Sequence, residues 1–221
     1  MNPFFFGTSE RRLFGIHAPA ASDAGGPRGA VLCQPWGSEY IYAHRSMRQL
    51  ALRLSLSGFH TLRFDYFGSG DSAGEECDTD ARGLQADVVT AIETLKDLAA
   101  TERVTLIGLR AGANIAASTA ADSPEAIEAL ALWDPILPEE AGLESAPQEL
   151  QPLDVDALPS RSLLLVTQRP HAPERSSPAA ADAGAQACIE LLPAPCPWTE
   201  SASTSGVIPV RVIERIERWL R

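Results

Sequence analysis

The chain has 221 residues, a formal net charge of -11, and 45% hydrophobic against 21% charged residues, a balance that suits one globular domain with a sizeable core. The acidic surplus, with no basic run to offset it, excludes nucleic acid and anionic membranes as partners. No stretch approaches the ~20 apolar residues of a membrane span, Met1 to Glu10 lacks a signal-peptide pattern, and Cys33, Cys77, Cys188 and Cys196 fall at no metal or disulfide spacing, so a cytoplasmic protein with reduced thiols is expected.

Residues 4–17 read as a β-hairpin or a pair of extended segments, with Phe14, Ile16 and the triplet Phe4-Phe5-Phe6 covering one end of a sheet. Ala20 to Gly29 is a loop by composition. Ala30 to Gln34 follows as a buried strand, stopped by Pro35-Trp36-Gly37. From Tyr42 to Ser57, Met47, Leu50, Ala51 and Leu54 recur at helical spacing, and Gly58 stops the helix. His60 to Asp65 is the next strand, leading into a glycine-rich loop at Phe67 to Gly74. An amphipathic helix is expected from about Gly83 to Ala99, with Val88, Ile92 and Leu95 on its apolar face.

The next stretch organises the rest. Val104-Thr105-Leu106-Ile107 is an apolar, β-branched run that ends at Gly108-Leu109-Arg110-Ala111-Gly112 and continues as a helix of small residues. This has the form of a nucleophile elbow, G-x-S-x-G, in which a sharp strand-to-helix turn holds up a serine; here the central residue is Arg110. Ala129 to Trp133 is a further strand, ending in Asp134-Pro135. Residues 136–160, rich in Pro and Glu, form a short lid-like insertion. Ser162 to Thr167 is a buried strand, a Pro/Ala/Ser-rich link leads to a short strand at Ala187 to Leu192, and a helix from Pro209 presents Val212, Ile213, Ile216 and Leu220 on one face. Buried strands alternating with helices predict a mostly parallel sheet covered on both faces.

Several motifs agree on a family. Gln34-Pro35-Trp36-Gly37 resembles the oxyanion-loop strand end of α/β-hydrolases, Arg63-Phe64-Asp65-Tyr66-Phe67-Gly68-Ser69-Gly70-Asp71-Ser72 resembles their D-x-x-G-x-G-x-S loop, and the elbow falls one amphipathic helix later. With His44-Arg45 and Trp133-Asp134-Pro135, the set resembles the serine-aminopeptidase-like hydrolases, and within them the bacterial exosortase-system-associated group. The resemblance implies a single α/β-hydrolase-like domain over 1–221 with a reduced lid. It also implies a general-base histidine in the loop of about Pro193 to Val207 and an acid after the strand ending at Thr167.

The residues depart from that triad. Arginine stays protonated at any working pH and cannot attack a carbonyl. The 193–207 loop holds Cys196, Trp198, Thr199 and Glu200 but no histidine, and Thr167-Gln168-Arg169-Pro170 carries no carboxylate. His17 and His60 sit in predicted strands; His171 falls on a loop near the acid position. A guanidinium at a helix N-terminus beside the Ala111 N–H favours an anion, and a buried salt bridge of Arg110 with Asp134 or Asp71 is the rival reading.

Two functions are left open. In the first, an acyl or anionic small molecule is bound by Arg110, Trp36, Ala111, Tyr40 and Trp198, while His44, Asp134, Glu39 or Tyr40 handle protons. In the second, the fold is kept as a catalytically inactive binding or scaffold protein. A weaker third is cysteine-dependent acyl transfer through Cys33 or Cys196. Ser72 and Asp65 read as structural residues of their loop. Gly68, Gly70 and Gly74 do not read as a dinucleotide loop, because they follow the wrong strand and lead into Glu75-Glu76. No cofactor or metal is expected.

Overall fold

The structure is a computed structural model that describes residues 1–22, 25–136, 147, 149–151, 153–154, 158–159, 161–167 and 188–221, with the backbone alone at 202, 203 and 205. The strands are β1 (Asn2–Gly7), β2 (Arg12–Ala18), β3 (Gly29–Cys33), β4 (His60–Asp65), β5 (Val104–Leu109), β6 (Ile127–Trp133), β7 (Ser162–Val166) and β8 (Cys188–Leu191). The helices are α1 (Ser38–Leu56), α2 (Ala81–Ala99), α3 (Ala111–Asp122), α4 (Glu200–Ser205) and α5 (Val210–Leu220). One eight-stranded sheet runs in the order β1-β2-β4-β3-β5-β6-β7-β8. It is parallel from β4 to β8, and the β1–β2 hairpin joins antiparallel.

Hydrophobic pattern explains which strands lie where. Every residue of β3 and β5 is buried, as a parallel strand covered on both faces requires. β1 instead alternates: Phe4 and Phe6 pack toward the core on the α2 face, while Phe5 points away against Phe14 and carries the Arg12 guanidinium over its ring. The core is split by the sheet. Leu84, Val88, Ile92 and Leu95 of α2 and the small residues of α3 fill one face; Met47, Leu50 and Leu54 of α1 with Val212, Ile213 and Ile216 of α5 fill the other. Each such fully buried aliphatic side chain is worth about 1.5–3 kcal/mol. Arg53–Glu214 and Ser57–Glu217 contacts tie α1 to α5.

Two helix starts and one additional helix differ from the sequence reading. α1 begins at Ser38, four residues before Tyr42, because Gly37 adopts φ 61 as its N-cap and turns the chain directly into the helix. Pro209 is the N-cap of α5, so the helix starts at Val210. α4 interrupts what reads as a loop between β8 and α5. Of the expected 136–160 insertion, only Ile136, Pro147, Glu149 to Gln151, Leu153, Asp154, Leu158 and Pro159 lie within the described residues, and the link between β7 and β8 lies outside them.

β3 is the switch point of the sheet, paired with β4 on one side and β5 on the other. In open α/β sheets the crevice at the carboxyl ends of such strands is where ligands bind. It is lined here by Gln34, Asp65, Arg110, Asp134 and Thr167, each at or just past a strand end.

Candidate active site

The elbow is held by two glycines. A Cβ at Gly112 would lie 2.3 Å from the carbonyl oxygens of both Cys33 and Gln34, and one at Gly108 would lie 2.4 Å from the Ala113 Cα. The first turn of α3 is thereby pressed onto the end of β3. Arg110 between them takes φ 55 and ψ -126, a backbone state uncommon for a residue with a side chain and concentrated at functional turns. Its N–H donates to the Trp133 carbonyl at 3.1 Å and its own carbonyl accepts from Ala113 at 2.8 Å. Asn114, a turn further on, locks α3 to the chain after β6: its Nδ2 donates to the Ile136 carbonyl and its Oδ1 accepts the Ile136 N–H.

The Arg110 side chain is 2% exposed. Its Nε lies 3.2 Å from both carboxylate oxygens of Glu39, and its Nη1 donates to the Asp134 backbone carbonyl at 3.2 Å. Trp198, reaching in from the loop after β8, stacks its ring 5.3 Å from the guanidinium carbon. The carboxylate among the described residues that pairs with Arg110 is therefore Glu39, in the first turn of α1, and this revises the expectation of Asp134 or Asp71. Glu39 also sits where an acid is favoured by the helix dipole. Asp71 lies in the glycine loop and donates its N–H to Asp65.

Asp134, with φ 44, turns its carboxylate to Thr167, accepting from the Thr167 N–H at 2.8 Å and from its hydroxyl at 2.6 Å. Thr167 Oγ1 in turn lies 3.6 Å from Cys196 Sγ. A polar string thus runs across the strand ends from Glu39 through Arg110 and Asp134 to Thr167 and Cys196.

The other expected site residues lie apart from this string. Tyr40 points to β4, its hydroxyl donating to Asp65 at 2.8 Å; burial, with Asp65 adding to it, raises its pKa. His44 is exposed one turn further along α1, edge-on to Tyr40. The Trp36 indole packs in the core on the α2 face against Tyr66. Ala111 is buried as the first residue of α3, where helix N–H groups lack intrahelical acceptors. His171 lies outside the described residues. Cys33 is fully buried, and burial pushes its thiol up to about 12, so it is a protonated thiol at neutral pH. Among the described residues, no group of three or more His, Cys, Asp or Glu side chains is placed to hold a metal ion, and no helix is long and apolar enough to cross a membrane.

A mostly parallel sheet with a strand–elbow–helix beside its switch point is the α/β-hydrolase architecture. The profile of one branch of it, Hydrolase_4, serine aminopeptidase S33, matches residues 40–183. The chain belongs to that family. Among solved structures it is similar to an α/β serine hydrolase without a lid from Xanthomonas campestris, at TM-score 0.71 and 18% identity over 100% of this chain and 93% of that one. It is likewise similar to Est1E from Butyrivibrio proteoclasticus, solved with ferulic acid bound, at TM-score 0.72 and 16% identity over 98% and 97%. A third is an α/β serine hydrolase homologue from Coxiella burnetii, at TM-score 0.68 and 16% identity over 100% and 97%. At such identities the likeness is one of fold. Comparison with curated proteins gives no match.

Proposed function

We propose that this chain is a pseudo-hydrolase, a single α/β-hydrolase-like unit of the cytoplasm that binds an acyl or anionic small molecule, or a partner, without serine-triad turnover. One observation carries the reading: the elbow position is filled by a cation already matched by Glu39 and roofed by Trp198. A serine enzyme needs at that point a hydroxyl with a base in reach. Arginine offers no lone pair, and the indole is a donor only.

A second reading has support in the same geometry. Arg110 stands at the N-terminus of α3, and an anionic ligand exchanging with the Glu39 carboxylate would meet the guanidinium and the first N–H groups of the helix together. Glu39 and Asp134 would then handle protons in a non-standard reaction. Cys196, beside Thr167, is the thiol on which a cysteine-dependent variant would rest.

Two assays separate these. p-Nitrophenyl butyrate hydrolysis should not exceed the background of heat-inactivated protein; protein-dependent turnover would overturn the pseudo-hydrolase reading, and its loss on thiol alkylation would assign it to cysteine. Hexanoate titrated calorimetrically against wild type and Arg110→Ala tests the anion reading. Binding that is lost in the variant supports Arg110 as the binder, and binding that is unchanged leaves the arginine as a structural ion-pair partner.

A further inference from the structure

A second arginine is buried on the same molecule with an unpartnered guanidinium nitrogen. Arg63, in the middle of β4, is 3% exposed, and its Nε is buried with no hydrogen-bond partner. Burying a charge in this state is expensive unless something pairs with it. Asp65, two residues along the same strand face, is committed elsewhere: its oxygens accept from Tyr40, Gln34 and the Asp71 N–H.

Arg63 shares its face of the sheet with the Tyr40–Asp65 pair and, beyond that pair along α1, with further basic residues. Tyr40, His44 and Arg48 recur every fourth residue of α1 and so share one stripe of the helix. Burial lowers the His44 pKa, and the fields of Arg63 and Arg48 lower it further against Asp65. Burial likewise lowers the Arg63 pKa; Tyr40 and Asp65 oppose that fall, and Arg48, a smaller influence, adds to it, although a guanidinium stays protonated. On the sheet side, Ile16 stands directly opposite Arg63 and Phe14 opposite Asp65, so both apolar side chains share the Arg63 face. Phe5 continues that floor on β1 and is 54% exposed. In a chain of net charge -11, Arg63 and Arg48 around one carboxylate, Asp65, that three donors already occupy leave a local surplus of positive charge, which attracts an anion.

We propose that Arg63, Arg48 and His44 form a site for a phosphate-type oxyanion between the flank of α1 and the β2–β4 face of the sheet, separate from the elbow, with Phe14 and Ile16 as an apolar floor for the body that carries the oxyanion. The planar guanidinium suits two phosphate oxygens at once. Arg48, on the exposed side of α1, adds a second charge at the mouth, and the His44 imidazole supplies a donor.

The two arginine Nε–H groups make the test direct, because Nε–H resonances of buried arginines can be followed separately by nitrogen-edited NMR. Titration of the whole chain with inorganic phosphate at low ionic strength should shift the Arg63 Nε–H saturably and leave that of Arg110, bonded to Glu39, in place. Arg48→Gln should weaken phosphate binding roughly tenfold, and Arg63→Met should abolish the rise in Tm that phosphate gives the wild type. Phenyl phosphate binding more tightly than phosphate assigns the floor to an organic phosphate; equal affinity assigns the site to the free ion. The proposal is overturned by the absence of a saturable shift, by a response that Arg48→Gln and His44→Gln leave intact, or by movement of the Arg110 resonance alone. Both α1 substitutions lie at exposed positions, so they keep the test valid if Arg63→Met does not fold.

Discussion

Both carboxylate oxygens of Glu39 stand 3.2 Å from Nε of Arg110, joining the first turn of α1 to the elbow between β5 and α3. The pair is nearly enclosed, at 2% side-chain exposure for the arginine and 11% for the glutamate. Removing one member of a buried pair leaves the other charged without compensation, at about 3–5 kcal/mol. Glu39→Gln is therefore expected to lower stability by about 3 kcal/mol in urea denaturation. The double variant Glu39→Leu with Arg110→Leu should recover most of that loss, and a double variant as unstable as the single one would show that the pair is not the source.

Gly112→Ala should be far more damaging than an ordinary helical Gly→Ala change. Its Cβ would meet the Cys33 and Gln34 carbonyl oxygens at 2.3 Å, and backbone atoms on both sides cannot rotate away as a side chain would. A loss of about 3 kcal/mol or more is expected, read as a shift in urea midpoint at constant m-value. A neutral or stabilising outcome, the usual result in an open helix, would contradict the close approach of α3 to β3.

Arg11 holds the hairpin to the rest of the fold. It grips Asp87 of α2 with Nε at 2.5 Å and Nη2 at 3.0 Å, and Asp87 also accepts the Phe67 N–H at 2.9 Å. Asp87 is fully buried; burial raises its pKa while the Arg11 bonds oppose that rise. Arg11→Met should destabilise by roughly 2–3 kcal/mol at neutral pH. The defect should shrink on acidification, because protonating Asp87 removes the uncompensated charge. A defect independent of pH would assign the loss to packing of the arginine stem.

His17 sets a pH limit. Its Nε2 lies 3.3 Å from Nδ1 of His60 with the rings stacked. Burial lowers the His17 pKa from 6.5, and His60 adds to it. A histidine whose folded pKa lies below its unfolded value is held neutral by the fold. Stability is then complete above pH ~6.5 and declines as pH falls through the range between the two values. His17→Gln should flatten that part of the stability–pH curve, measured by thermal unfolding at successive pH values; an unchanged curve would exclude His17 as its origin.

Much of this architecture is legible in the sequence because parallel strands buried on both faces leave uninterrupted apolar runs, as in Val104 to Leu109, and because G-L-R-A-G marks the turn even with its serine absent. α4 escapes notice because Glu200-Ser201-Ala202-Ser203-Thr204-Ser205 has no apolar period. The partner of Arg110 escapes for a sharper reason. Apolar spacing places the start of α1 at Tyr42, which leaves Glu39 in a loop, whereas Gly37 starts the helix at Ser38 and brings Glu39 over the elbow. Arg63 reads only as a polar residue in a strand, since its burial depends on α1 crossing above it.

The central claim is that the elbow carries no nucleophile, and labelling with a fluorophosphonate followed by intact-protein mass spectrometry tests it most directly. The unmodified mass is expected for both wild type and Arg110→Ser, because a serine at that position would still find Trp198 and Glu39 around it instead of an aligned histidine. Stoichiometric, heat-sensitive labelling of the wild type would contradict the account.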